Sequence, residues 1–368
     1  MKQSDFTHIR LANQFLTTTG PKRASDVVRA LGAVQAQDYA GAKWALAQRV
    51  RGATHVDIER EIDGGSILRT HVLRPTWHFV APEDIRWMLA LTAPRVSTAM
   101  AYYNRRLELD AAVFRRSNAV LTKALAGGKS LTRGELKGSL ERAGIPITTG
   151  QRLGHLMMQA ELDAVICSGP RRGKQFTYAL LDERAPPTAT KDRDEALLEL
   201  TRRYFATRGP ATVRDFAWWS GLTVADVKRG IDIAGRELQQ IALDGGTYWL
   251  GAGRARRPKR SPSAHLLPNY DEYFIGFKDR SAIVQRLVDA KAVTAGNALL
   301  AHVVFVDGQL VGGWTRSVEK KSIVVTLTLQ ARLNAAERKR VAAAARAFGE
   351  FLNVPVELRS AGNYRYTS

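Results

Sequence analysis

The chain has 368 residues, more than one hydrophobic core usually organises, so roughly two to four domains are expected. Its 55 Lys and Arg against 35 Asp and Glu give a formal charge of +20 and a pI near 10.3, while 45% hydrophobic residues exclude a purely disordered polycation. Such a charge points to a polyanion, most commonly nucleic acid, but phosphate contacts carry no sequence information and do not separate an enzyme from a repressor.

In chain order, the apolar spacing predicts a helix–helix–hairpin pattern three times, the sequence signature of tandem winged helices. In the first unit, residues 1–110, helices are expected over 7–16, 24–34 and 55–62, with an aromatic hairpin over 68–80 as its wing and a long helix over 82–109, interrupted at Pro94. The second unit, 111–185, is expected to begin with Ser130 as N-cap of a helix over 131–143. A recognition-type helix over 153–162 follows, then a wing over 164–180 closed by residues 169–174.

A Pro-containing linker over 182–192 leads into the third unit, 190–253. Helices are expected there over 195–207, 213–220 and 224–238, with Thr212 and Thr223 as N-caps and a hairpin turning at Asp244-Gly245-Gly246. The basic stretch 254–260 marks a boundary. Beyond it, residues 264–368 read as a separate α+β domain, β-rich or barrel-like, with strands over 302–306, 310–316, 322–329 and 354–358 and a helix over 335–352. The expected class is therefore α+β.

Three segments give this framework a more specific meaning: Leu31-Gly-Ala-Val-Gln-Ala-Gln37; Leu68-Arg-Thr-His-Val-Leu-Arg-Pro-Thr-Trp-His-Phe-Val80 leading into 83–87; and Leu266-Leu-Pro-Asn-Tyr-Asp-Glu-Tyr273 with 278–280. In this order they resemble the AlkZ-like (YcaQ-type) bacterial DNA glycosylases over nearly the whole chain. The family's catalytic signature is Gln, an apolar residue, then Gln or Asp, and Gln35-Ala36-Gln37 matches the Gln-containing version. The resemblance implies tandem winged helices, a β-rich C-terminal domain, and hydrolysis of the N-glycosidic bond of N7-alkylated purines, including bulky adducts and sometimes interstrand crosslinks. Gln35 and Gln37 are then the catalytic candidates, and duplex DNA carrying alkylated bases is the partner.

Chemistry supports this assignment on its own terms. Alkylation at purine N7 leaves a cationic base that departs with little acid help, so the enzyme needs mainly to position water and stabilise an oxocarbenium-like sugar. Neutral amides suit positioning, offering one acceptor and two N–H donors, but not general-base work. On a helix, positions i and i+2 lie about 200° apart, whereas in extended backbone they share a face; joint action requires the chain to leave helical geometry near Gln35. The competing reading ends a surface helix at these glutamines. Asp38 is the nearest carboxylate and a candidate water activator.

Arg69, His71, Arg74, Thr76 and His78 on the hairpin, Arg171, Arg172 and Lys174 on the second wing, and Arg254, Arg256 and Arg257 in the basic stretch are candidate DNA contacts, each also readable as an ordinary surface or packing residue. Pro75 leaves two hairpin registers open, one placing His71 opposite His78, the other opposite Val80. Trp77 and Phe79 read more readily as core than as stacking platforms, and one of Trp218 and Trp219 is expected in the core. Asp271 and Glu272, in the family-like motif, have no assigned role; they are readable as reaching the DNA channel or as holding Arg280 or an N-terminal helix end. His71 and His78 lack a third ligand at metal spacing, so no metal or cofactor is expected.

Cys167 stands alone, which excludes an intramolecular disulfide and fits a reducing compartment. With no signal-like N-terminal run and no apolar stretch of about 18 residues, a cytoplasmic, nucleoid-associated protein is expected. No extended heptads point to dimerisation, so a monomer enclosing DNA is expected. The rival class is a non-catalytic winged-helix regulator reading an intact groove.

Overall fold

The computed structural model describes residues 3–18, 20–185, 187–253, 261–287 and 302–361. The first unit comprises α1 (Gln3–Asn13), α2 (Ala24–Leu31), β1 (Ala33–Gln35), α3 (Tyr39–Ala47), α4 (His55–Asp63), β2 (Leu68–Val72) and β3 (Arg74–Val80). Its three strands pair in the order β1-β3-β2. Gly32, at φ +81°, ends α2, so the helix stops three residues short of the expected Val34 and Gln35 lies in extended backbone. Helix α3 was not anticipated: seven of its nine residues, from Gly41 to Ala47, are buried, which erases the one-sided apolar stripe that advertises a surface helix.

Both hairpin registers are corrected. The turn is centred on Leu73 at φ +65°, Val72 faces Arg74, and a bulge then sets His71 opposite Trp77 and Thr70 opposite His78. Pro75 therefore belongs to β3. The Leu73 N–H donates to Thr92 Oγ1 at 3.1 Å, which stabilises this unusual turn from outside the hairpin.

Helix α5 (Ile85–Arg106) runs unbroken through Pro94, contrary to the expected interruption. The carbonyl that Pro94 cannot bond belongs to Ala90, an exposed position where water can serve instead. The second unit follows with α6 (Ala111–Leu125), β4 (Leu131–Thr132), α7 (Arg133–Arg142), α8 (Gly150–Leu162), β5 (Ile166–Ser168), β6 (Thr177–Leu180) and α9 (Leu181–Arg184). Thr132, not Ser130, caps α7, because Glu135 stands at the reciprocal position of a capping box.

The third unit holds α10 (Arg193–Arg208), α11 (Val213–Ser220), α12 (Val224–Ala234) and a hairpin, β7 (Leu238–Leu243) with β8 (Gly246–Gly251). Thr212 and Thr223 form capping boxes with Asp215 and Asp226, as their positions suggested. Asp244 and Gly245, both at positive φ, turn the hairpin.

The C-terminal part contains β9 (Ala264–Leu267), α13 (Glu272–Ile275), β10 (His302–Val306), β11 (Gln309–Val318), β12 (Ile323–Leu329), α14 (Ala335–Leu352) and β13 (Val356–Ala361). The sheet, in order β13-β12-β11-β10-β9, is open among the described residues, with β9 and β13 as its edges. It is antiparallel except where α14 carries the chain over to a parallel β12–β13 pair. The fold is mixed α+β.

One hydrophobic core joins the first hairpin and α5 to α10, α11 and α12; another joins α2, α3 and α4 to the C-terminal sheet and α14. The second unit keeps its own cluster, from Leu109 to Tyr178. The glutamine strand thus sits where N-terminal, third-unit and C-terminal elements meet.

Candidate functional site

Strand β1 extends the hairpin, with Gln35 opposite His78 and the Ala36 N–H donating to the Trp77 carbonyl at 2.7 Å. The chain leaves α2 at Gly32, so Gln35 stands in extended backbone at the end of β1, and Gln37 lies two residues on, in the bend that leads into α3. Gln35 is buried and Gln37 is exposed. Arg74 Nη2 donates to Gln35 Oε1 at 2.8 Å, and the Trp77 N–H donates to Gln37 Oε1 at 3.3 Å. Both donors lack any acceptor capacity, so each amide must present its oxygen to them and keep its N–H2 for other partners.

A buried ion pair holds this strand from behind. Glu272 Oε1 accepts the Gln35 N–H at 2.8 Å; Glu272 Oε2 accepts Arg208 Nη2 at 2.6 Å and Trp219 Nε1 at 2.8 Å. Arg208 also donates to the carbonyls of Leu31 and Ala33, at 2.8 and 3.1 Å. Arg208 and Glu272 are both fully buried, so each charge depends on the other and on these hydrogen bonds. Asp271 pairs with Arg49 at 2.8 and 2.9 Å and accepts the Tyr273 N–H, capping α13. Arg280 instead donates to the Phe274 carbonyl.

The other candidates separate into three groups. His71 and His78, named among the DNA-contact candidates, are both buried. His71 Nδ1 engages the buried Glu161 carboxylate, and His78 Nδ1 lies 2.9 Å from the Thr76 carbonyl. Burial, reinforced by the Arg74 charge, holds the His78 pKa well below the ordinary imidazole value. Thr76 is half-buried, and Arg74 lies with its guanidinium 5.7 Å from the Trp218 ring. Burial lowers the Arg74 pKa, against the opposing pull of Glu272.

Arg69 and Arg171 serve packing as much as charge. Arg69 Nε donates to the Ala36 carbonyl at 3.1 Å, between the two glutamines, and its guanidinium lies 4.3 Å from the Trp77 ring and 4.9 Å from that of Phe176. The Arg171 guanidinium lies 5.1 Å from both Tyr39 and Phe176. Arg172 pairs with Glu135 at 2.9 Å and Lys174 is exposed. Arg254, Arg256 and Arg257 lie outside the described residues.

Asp38 caps α3, accepting the Gly41 N–H at 3.1 Å, which gives its carboxylate a structural task beside Gln37. Phe79 and Trp219 are in the core, while Trp77 is half-buried. Among the described residues, no three His, Cys, Asp or Glu side chains gather as metal ligands. No described helix is long and apolar enough to cross a membrane.

Sequence reading missed Arg208 and Glu161. Their only signal was a charged residue at a core-facing helical position, and Glu272 offered a similar one, a carboxylate among aromatic residues. The family model for "DNA glycosylase AlkZ-like" proteins matches residues 28–351, which takes in the glutamines, the hairpin and the Glu272 segment. The chain belongs to the AlkZ-like DNA glycosylase family. This decides between the two classes left open: the protein is a DNA glycosylase, a hydrolase of N-glycosyl bonds, rather than a non-catalytic regulator.

A curated relative, an interstrand DNA cross-link repair glycosylase of Streptomyces sahachiroi, is 27% identical over 332 residues, covering 86% of this chain and 88% of its own. The solved structure of Streptomyces sahachiroi DNA glycosylase AlkZ superposes with a TM-score of 0.77 at 24% identity, covering 97% of this chain and 98% of that one. That likeness establishes a shared AlkZ-type fold.

Proposed function

We propose that this AlkZ-like glycosylase releases N7-alkylated purines, including bulky or crosslinked ones, from duplex DNA, with Gln35 and Gln37 as the groups that meet the reacting nucleotide. The observation that carries this reading is that both amides are held against the hairpin, Gln35 Oε1 by Arg74 and Gln37 Oε1 by the Trp77 N–H. Each retains N–H donors and a second carbonyl lone pair, enough to hold a water molecule against the sugar while the cationic base departs. No strong base is required, because the leaving group is already activated. The work is orientation, and the Arg208–Glu272 pair, Arg74 and the Trp77 N–H supply it.

The three helix-and-hairpin units, 1–110, 111–185 and 190–253, act as winged helices ahead of a C-terminal domain over 264–368, and the protein works as a monomer on nucleoid DNA. Arg171, Arg172, Lys174 and the basic stretch containing Arg254, Arg256 and Arg257 are the proposed phosphate contacts. Asp38 can at most assist water through the carboxylate edge its capping bond leaves over.

The test uses a duplex with one N7-methylguanine, incubated with purified protein and then with alkali. Strand cleavage at that site is the expected result. An intact strand there, with release from a crosslinked duplex, would restrict the substrate to bulky lesions; no release from either would overturn the substrate assignment.

A further inference from the structure

Among the twelve phenylalanines of the chain, all within the described residues, Phe176 alone is exposed, at 40%. Isolated exposed apolar side chains are common and by themselves mean little. This one differs in being fixed and in its location. It sits at the base of the second wing, just before β6, with Tyr39 edge-on to its ring at 5.0 Å. Arg69 and Arg171 place their guanidiniums 4.9 and 5.1 Å from its centroid. A ring held from several sides loses little freedom when something packs against it, so its exposed part is prepared for an apolar partner.

The same contacts connect it to the glutamine strand. Arg69 bridges Phe176 and Trp77 and donates to the Ala36 carbonyl, while the Trp77 N–H is bound to Gln37 Oε1. Tyr39 is two residues from Gln37. The exposed ring is therefore one side chain away from the backbone that carries both amides, on a wing whose loop holds Arg172 and Lys174 exposed. DNA supplies the matching partner: phosphates for the basic loop and flat apolar base surfaces for the ring.

The geometry points to Phe176 as an apolar wedge that packs against a nucleobase adjoining the damaged nucleotide and unstacks it from its neighbour. Inserted phenylalanines act in this way in other DNA-bending proteins, where unstacking costs a few kcal/mol per step and is offset by the contacts it permits. The wedge would open the duplex beside the lesion, so that Gln35 and Gln37 reach the sugar. It rests on the glutamine strand being the reaction centre.

The experiment uses the full chain and a duplex containing a tetrahydrofuran abasic analogue, with 2-aminopurine as its 3′ or its 5′ neighbour. Saturating wild-type protein is expected to raise 2-aminopurine fluorescence about threefold on one side. Phe176→Ala, at saturation and with an unchanged thermal midpoint, should give less than about half of that rise, and Phe176→Leu, which keeps an apolar wedge, should restore most of it. If Phe176→Ala does not fold, Phe176→Gln takes its place. A full rise with the alanine or glutamine variant, or no rise with wild type on either side, would overturn the wedge. Undiminished excision by Gln35→Ala and Gln37→Ala would instead overturn the reaction centre on which it rests.

Discussion

Gln35 and Gln37 are not strong chemical groups, and their use depends on where neighbouring charges hold them. The Glu272 carboxylate faces the Gln35 N–H, the Arg208 guanidinium and the Trp219 indole, all within a fully buried pocket. Glu272→Gln removes the countercharge of Arg208 and leaves a buried cation uncompensated, a loss of about 3–5 kcal/mol. The expected outcome is a large drop in thermal midpoint together with reduced excision; a midpoint within a degree or two of wild type would contradict the role given to this pair. Gln35 was legible because it stands in a recognisable tripeptide. Arg208 was not, because an arginine in a helix looks the same in sequence whether it faces water or a carboxylate more than 60 residues away.

At the scale of elements, the hairpin owes its register to neighbours outside it. Gly221, the left-handed C-cap of α11 at φ +71°, lies so close to the turn that a Cβ there would fall 2.3 Å from the Leu73 carbonyl oxygen. Gly221→Ala therefore combines backbone strain with a clash against a turn that also holds Arg74. A loss of roughly 2–4 kcal/mol in unfolding free energy is expected, with a fall in excision rate that exceeds any loss of DNA affinity. A variant as stable and active as wild type would show that the turn is free to move.

Most helices and turns were readable from apolar spacing and capping residues, Thr212 and Thr223 among them. The hairpin register was not, because it is set by contact with Thr92 and Gly221 rather than by Pro75. Helix α3 escaped for a related reason: buried on nearly every side, it lacks the periodic contrast on which such reading depends.

Across the whole molecule, the cores cross the boundaries suggested by sequence, and this has a consequence for acid stability. His265 on β9 is buried, its Nε2 has no hydrogen-bond partner, and burial together with the Arg49 charge lowers its pKa to about 4. Above about pH 6.5 the imidazole is neutral in both folded and unfolded chains. As pH falls from there towards 4, the unfolded chain binds the proton first, so stability declines by roughly 3 kcal/mol in all. His78 acts in the same direction. Urea unfolding between pH 7 and 4.5 should show a steeper loss for wild type than for His265→Gln; parallel curves would contradict a neutral buried imidazole.

The proposed reaction centre asks two oriented glutamines, neither of them a strong base, to position the hydrolysis. The decisive measurement is single-turnover excision from an N7-methylguanine duplex by wild type, Gln35→Ala and Gln37→Ala, with DNA affinity and thermal midpoint recorded alongside. Each variant is expected to bind and fold as wild type does while its rate falls on the order of 100-fold. Rates within about threefold of wild type in both variants would contradict that role.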